Sequence, residues 1–437
     1  MGRGLMQRAT IVALVAGAMV VTGAAHGDAA TRAAKSPQPT AGFESAFNGP
    51  LLVGGVAESG KGFVAVGYEQ DSSAHRHAVV WTEAKAGDDW TRLADDAFAD
   101  GNPIGPDDNG QVVETAMHTV AVGADGMVAG GDYQLKFEDE SNGSTSTTIL
   151  PAVWFSADGS GWSRAELSPP EGSGTGQVIS VTQRDGRFVA VGIVGDTDLG
   201  SDADRAAAWY SDDGTTWTNA PSITESSSGR ANASSVAAAG SGVSPQYVAV
   251  GSAIDESGDG QSAAVWVSDD GATWSQVAEQ PAFGTTSKLN QAMRSVIAVG
   301  DDASFKAVGD EAPNEKNAAS RAVLWQSDDG TTWTRSTTPK AFAPNVKKLT
   351  STAPFTVAVG PGYYVVGGYQ SRPGDVGAQP RAWYSTDFER WTRLTFNDGS
   401  GQAGGGIFGA DTNGKDYVFV GRLGANGNTW DGEADTK

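Results

Sequence analysis

Short runs of small and β-branched apolar residues, most closed by glycine, recur along the chain. They read Phe63-Val-Ala-Val-Gly67, Met127-Val-Ala-Gly-Gly131, Phe188-Val-Ala-Val-Gly192, Tyr247-Val-Ala-Val-Gly251, Phe305-Lys-Ala-Val-Gly309, Tyr363-Tyr-Val-Val-Gly-Gly368 and Tyr417-Val-Phe-Val-Gly421. A second apolar stretch precedes most of them, such as Thr119-Val-Ala-Val122, Val178-Ile-Ser-Val181, Ser295-Val-Ile-Ala-Val299 and Thr356-Val-Ala-Val359. Turns such as Ala124-Asp-Gly126 and Asp185-Gly186 join the two, as a β-hairpin requires. No long window carries a helical period, so the pattern predicts an all-β chain.

Tryptophans set the outer half of the unit. Trp81/Trp90, Trp154/Trp162, Trp209/Trp217, Trp266/Trp274, Trp325/Trp333 and Trp383/Trp391 form six close pairs, and Trp430 stands alone. The first members follow one another at 73 residues and then at 55 to 59. Each unit therefore offers four strands: a (small, apolar), b (Val-Ala-Val-Gly), c (ending at the first tryptophan) and d (beginning at the second). Four-stranded units repeated at this period predict a β-propeller, and seven copies of strand b predict a seven-bladed one of antiparallel blades. Only 7 residues follow Trp430, too few for a turn and a full last strand. An N-terminal strand, Phe43-Glu-Ser-Ala-Phe47, is expected to complete the last blade and remove two open sheet edges. A row of separate sandwich domains is the alternative architecture.

Between strands c and d lies the sharpest motif. Three copies are Ser211-Asp-Asp-Gly-Thr-Thr-Trp217, Ser268-Asp-Asp-Gly-Ala-Thr-Trp274 and Ser327-Asp-Asp-Gly-Thr-Thr-Trp333. Two looser ones are Ser156-Ala-Asp-Gly-Ser-Gly-Trp162 and Ser385-Thr-Asp-Phe-Glu-Arg-Trp391. Glycine (Gly159, Gly214, Gly271, Gly330) sits where the turn needs a left-handed residue. The carboxylates of Asp158, Asp213, Asp270, Asp329 and Asp387 suit backbone N–H groups of the turn. With such a loop Trp209 and Trp217 are expected directly opposite each other as a cross-strand aromatic pair.

These segments resemble the Asp-box, or BNR repeat, of sialidase-like propellers, usually Ser-x-Asp-x-Gly-x-Thr-Trp, although this chain's copies are one residue shorter between Asp and Trp. The resemblance implies a structural role for Ser156, Asp158, Trp162, Ser211, Asp213, Gly214, Trp217, Ser268, Asp270, Gly271, Trp274, Ser327, Asp329, Gly330, Trp333, Ser385, Asp387 and Trp391. It also implies a site on the opposite face. The family's catalytic set (three arginines, a tyrosine with a glutamate, an acid/base aspartate) begins with a Phe/Tyr-Arg-Ile-Pro segment. This chain has none, and no arginine lies between Arg32 and Arg76. A non-catalytic member is the reading that follows, so no catalytic residue is assigned.

The N-terminus reads as a secretion signal over 1–27: Arg3 and Arg8, an apolar core from Ala9 to Val21, then Gly23, Ala24 and Ala25. Residues 28–41 read as a flexible leader and 42–437 as one propeller domain. A secreted or cell-envelope location follows, with no membrane insertion after cleavage. The chain has no cysteine, which excludes disulfides and thiol chemistry. Its 30 basic and 52 acidic residues give a formal charge of −22, which disfavours nucleic acid and anionic lipid.

Candidate chemistry is sparse. His75, His77 and His118 are the only histidines beyond the signal, and glycine-rich 399–406 lacks a phosphate-loop context. Long b–c and d–a loops on one rim are where a ligand is expected. Several are acidic: Phe137-Glu-Asp-Glu140, Asp255-Glu-Ser-Gly-Asp259, Asp310-Glu311 and the run from Asp196 to Asp204. A Ca²⁺ ion on Asp196, Asp198, Asp202 and Asp204 is the metal these carboxylates suit; otherwise no cofactor is expected. Two functions stay open: a monomeric, non-catalytic binder of a protein or glycan, and a glycoside hydrolase using two loop-face carboxylates.

Overall fold

A computed structural model describes residues 51–423 except 61, 86–87, 94–97, 99–110, 140–143, 166, 168–173, 196–203, 227–229, 255–259, 285–288, 315–317, 337–338, 343–350, 372–377, 395–404 and 415. It also describes the backbone of 11–13, 19–24 and 41–42. Strands dominate the fold, in six four-stranded antiparallel blades. Blade one runs Leu51–Glu58, Phe63–Gln70, Arg76–Glu83, Thr91–Leu93, and blade two Gln111–Gly123, Gly126–Asp139, Ser144–Ser156, Ser163–Ala165. Blade three is Thr175–Arg184, Arg187–Gly195, Arg205–Ser211, Thr218–Asn219, and blade four Arg230–Ala238, Tyr247–Ile254, Gln261–Ser268, Ser275–Gln276. Blade five is Leu289–Ala298, Phe305–Pro313, Arg321–Ser327, Trp333–Arg335, and blade six Ser351–Gly360, Tyr363–Ser371, Gln379–Ser385, Thr392–Arg393.

The seventh repeat departs from the expectation of seven like blades. Its first two strands, Gly405–Thr412 and Asp416–Leu423, continue into Met19–Ala24, Ile11–Ala13 and Ala41–Gly42, making a five-stranded sheet. The strand beside Asp416–Leu423 is thus Met19–Ala24, paired antiparallel with Val21 opposite Phe419. It comes from the segment read as a secretion signal. The physical demand is the one anticipated, a backbone partner for an open apolar edge. The expected order put the strand ending at Trp430 at that edge and Phe43–Phe47 beyond it. Phe43–Phe47 and Trp430 lie outside the described residues.

The inner strands nevertheless form one closed circle. Each strand a touches strand a of both neighbours, and Gly405–Thr412 returns to Leu51–Glu58. Adjacent sheets pack face to face through apolar side chains; Val418 and Val420 join Val53, Phe63, Trp81 and Trp90 in one cluster across the closure. Trp81, Trp154, Trp209, Trp266, Trp325 and Trp383 are completely buried between blades. Removing surfaces of that size from water is the main driving force of such a ring. A separate-sandwich architecture is excluded.

The recurrent Val-Ala-Val-Gly has a backbone cause. Every strand a carries a β-bulge at the same place, at Gly54, His118, Ile179, Ser234, Arg294, Phe355 and Phe408. A bulge sets two residues against one and brings the partner strand close. A Cβ on Gly67, Gly192 or Gly309 would collide with the carbonyl oxygen of Leu52, Gln177 or Ala292 across that point. Only glycine fits.

Candidate functional site

The bulges position the site. All seven bulged residues line a central channel whose cavity is about 200 Å³. One residue past the recurrent strand-b glycine, strand b presents Tyr68, Asp132, Ile193, Ser252, Asp310, Tyr369 and Arg422 on the way to the b–c loops. Side chains of the two sets meet where the described contacts are strongest: His118 with Asp132, Arg294 with Asp310, Phe355 with Tyr369.

One side of this mouth is a charged knot. Asp132 is fully buried and accepts from Arg76 Nη2 at 3.1 Å, His118 Nε2 at 2.5 Å and Gln177 Nε2 at 3.3 Å. Arg76 also donates through Nε to Glu114 at 2.7 Å and stands over the Tyr68 ring, 5.8 Å from its centroid. Burial works against the Arg76 charge, but Asp132 and Glu114 outweigh it and hold its pKa above the usual value. Burial pushes the Tyr68 phenol up; Arg76 and Arg422 oppose it, and Asp132 and Glu114 add to it. A buried carboxylate survives only when its charge is met by donors. Here blades one, two and three each supply one.

On blades five to seven the mouth is aromatic. Arg294 Nε donates to Asp310 at 2.8 Å. Next to the pair, Phe355 packs on Tyr369 at 5.4 Å between ring centroids and on Phe408 at 5.3 Å, and all three rings stay partly exposed. Burial raises the Tyr369 phenol; the Asp310 charge reinforces this and Arg294 opposes it, so the ion pair and the aromatic group share one environment. Blade four adds amides and hydroxyls: Asn232 Nδ2 donates to Ser252 Oγ at 3.0 Å, and Ser234 Oγ to Asn232 Oδ1 at 3.0 Å.

The turn motif lies at the opposite end of the blades, between strands c and d. In the Ser211–Trp217 copy, Ser211 Oγ accepts the Gly214 N–H at 2.8 Å, and Asp213 Oδ1 accepts those of Thr215 and Thr216 at 2.8 and 2.6 Å. Trp217 Nε1 donates to the Gly214 carbonyl at 3.0 Å. The Thr216 N–H above all, against burial, together with the Thr215 N–H and the Ser211 hydroxyl, holds Asp213 at about 2. Asp158, Asp270, Asp329 and Asp387 bind turn N–H groups likewise, and Ser156, Ser268, Ser327 and Ser385 occupy the Ser211 position. Gly159, Gly214, Gly271 and Gly330 have φ of 82, 75, 72 and 69°, and Phe388 takes the same left-handed conformation at 61°. Trp162, Trp274, Trp333 and Trp391 close their turns as Trp217 does.

The aromatic pairing needs correction. Trp209 stands opposite Asn219, not Trp217, and Trp325 opposite Arg335. The turn is longer than a three-residue loop, and the second tryptophan folds over it to reach the glycine carbonyl.

Of the proposed Ca²⁺ ligands, Asp196, Asp198 and Asp202 lie outside the described residues, and Asp204 is buried with its carbonyl accepting the Ala231 N–H at 3.2 Å. His77 Nε2 and His75 Nδ1 lie 3.3 and 3.6 Å from Asp71 Oδ2. Among the described residues no three His, Asp or Glu side chains converge as metal ligands, and no helix is long and apolar enough to cross a membrane. Sequence reading missed Asp132, Arg294, Phe355, Tyr369 and Phe408. The available signal was the repeat itself: one residue past five of the seven strand-b glycines a charged or aromatic residue (Tyr68, Asp132, Asp310, Tyr369, Arg422) stands in an otherwise small, apolar strand.

No family model matches the chain, and no curated protein matches it. Solved structures that resemble it include a beta-1,2-mannobiose phosphorylase from Listeria innocua (8% identity, TM-score 0.35, 67% of this chain and 93% of that one). Two others are an N-acetylgalactosamine deacetylase from F. plautii (14%, 0.37, 87% and 91%) and a Bombyx mori beta-fructofuranosidase (9%, 0.35, 86% and 91%). All three are named for carbohydrate chemistry; at these TM-scores the likeness assigns nothing to this chain, whose site rests on its own residues.

Proposed function

We propose that the chain is an exported, non-catalytic propeller that binds a protein or glycan partner at the rim of b–c and d–a loops, centred on the channel mouth. It acts without a cofactor, as a monomer whose secretion signal is removed and whose seventh sheet is then completed as a blade by the strand ending at Trp430 and by Phe43–Phe47. One observation carries the non-catalytic reading: Glu114, Asp132 and Asp310, the carboxylates described at the mouth, are each held by Arg76, His118 or Arg294. Two-carboxylate glycoside hydrolysis needs one proton-bearing acid and one carboxylate free to act as base or nucleophile. Carboxylates tied to guanidinium groups serve neither role well.

The test is a panel of fluorogenic glycosides, sialosides included, run beside retention on immobilised glycans and capture of proteins from the cell envelope. Retention or capture without turnover is the expected result. Turnover lost in Asp132→Asn or Asp310→Asn, with the fold intact, would establish the hydrolase reading instead.

A further inference from the structure

Independently of that binding reading, we infer that the waist of the central channel holds one small monovalent anion of chloride size, hydrogen-bonded by hydroxyls of the inner strands. The described lining of the cavity comes from the seven inner strands alone, two or three residues each from the bulge onward. The site is therefore set by the rigid circle and not by the b–c and d–a loops. At five of the seven strands the residue just past the bulge carries a hydroxyl: Thr119, Ser180, Ser235, Ser295 and Thr356.

A hydroxyl has one proton to give and two lone pairs to receive. Thr119, Ser180, Ser235 and Ser295 each use a lone pair on an N–H of the next blade, from Val181, Val236, Val296 and Val357. Their protons have no acceptor among the described residues. Thr356 goes further. It is only 6% exposed and lines the cavity, yet its hydroxyl makes no hydrogen bond to any described residue. Leaving a buried hydroxyl unpartnered is costly, so this wall is short of an acceptor.

The lining also selects the kind of acceptor. No carboxylate is among its described residues, whereas Arg294 is. Arg294 spends Nε on Asp310, and its Nη groups have no partner among the described residues. A cation would meet a guanidinium and oxygens whose lone pairs are already half used. Water brings two protons of its own to a wall rich in them. An anion accepts from every side. A cavity of about 200 Å³ leaves room for a halide and several waters of about 30 Å³ each, which relay the donors across the channel. The formal charge of −22 opposes a dianion more strongly than a single charge, which disfavours sulfate and phosphate. Held there, the ion ties the inner strands of blades two to six to one centre.

Chlorine-35 NMR on the mature, full-length protein tests binding in solution, and anomalous diffraction from bromide-soaked crystals places the ion. The expected results are a saturable broadening of the chloride line and a bromide peak beside Ser235, Ser295 and Thr356. Thr356→Val removes a hydroxyl that bonds no described residue, so melting in chloride-free buffer should match the parent while the broadening falls at least threefold. Arg294→Gln should lower the broadening likewise. Broadening unchanged in both variants would put the chloride elsewhere and overturn the inference. A channel holding water only in the bromide data would do the same. Neither outcome touches the proposed partner binding, which is read separately from retention on glycans and capture from the cell envelope.

Discussion

The stretch from blade two to blade six and the seam from the seventh sheet through blade one to blade two close the same circle by different chemistry. Between blades two and six, small hydroxyls join the inner strands. Thr119 Oγ1 accepts the Val181 N–H at 3.3 Å, and Ser180, Ser235 and Ser295 accept those of Val236, Val296 and Val357 at 3.2 Å each. At the seam the same position is Gly409 or Gly55. A Cβ on Gly55 would lie 2.7 Å from Thr119 Cα, and one on Gly409 3.0 Å from the Gly54 carbonyl oxygen. The backbones are too close for a hydroxyl, and charged groups link the blades instead. Arg76 spans blades one and two through Glu114 and Asp132, and Asp411 Oδ2 accepts the Glu58 N–H at 2.7 Å, joining first repeat to last. The links between inner strands are thus neutral along one arc and ionisable at the seam, so among these links the response to pH should lie at the seam.

The largest effect is expected at Asp132. Asp132→Ala strands Arg76 and His118 against a buried void, and removing one partner of a buried pair costs about 3–5 kcal/mol. Chemical denaturation should show this as a lower midpoint, and Asp132→Asn, which still accepts, should lose less. A loss below about 1 kcal/mol would mean that the knot is solvated and the seam is held by packing.

Asp411 comes next and gives the seam its pH signature. Burial is the main cause of its pKa of about 6, with the Glu58 and Thr412 N–H groups opposing and the Glu58 charge adding. Elsewhere Ala57, Ala121, Ala237 and Ala358 fill this position. The folded chain therefore holds the proton more tightly than the unfolded one. The stabilisation is complete below about 4 and is lost as pH rises through 6. Asp411→Asn should exceed the parent by up to about 3 kcal/mol at pH 7.5 and match it at pH 4. Unfolding curves for both at the two pH values decide it; equal differences at both would remove Asp411 from the closure.

How much of this could be read beforehand follows from what repeats. The four-stranded antiparallel blade and the left-handed residue of the c–d turn were legible because each copy obeys the same steric rule, glycine across a bulge or a left-handed turn; the count was not, since seven copies of strand b gave seven expected blades and six four-stranded ones stand among the described residues. The mouth was harder to read because it is the one ring of positions where the copies differ: Gly54, His118, Arg294 and Phe355 share a backbone location and nothing else. His118 and Asp132 are 14 residues apart and meet across the a–b hairpin of blade two, whereas Arg76 and Asp132 are 56 apart and meet because blades one and two are neighbours. At the edge of Asp416–Leu423 the expected neighbour was the strand ending at Trp430, with Phe43–Phe47 beyond it, and the structure places Met19–Ala24 there. An open edge needs backbone hydrogen bonds, which any extended segment offers, so no side-chain pattern singles out its partner.

The smallest expected effect is the one that isolates the neutral arc. Ser235→Ala removes the acceptor of the buried Val296 N–H and adds no void larger than the lost oxygen. A buried donor left without a partner costs about 1–3 kcal/mol, and a 3.2 Å bond to a small hydroxyl belongs at the low end. Because neither group titrates between pH 4 and 8, the loss should be the same at both ends of that range. The Asp411→Asn difference should swing across it. A Ser235→Ala loss that grew with pH would show the two arcs coupled through the ring, and the contrast between hydroxyl links and charged links would then belong to the molecule as a whole and not to its seam.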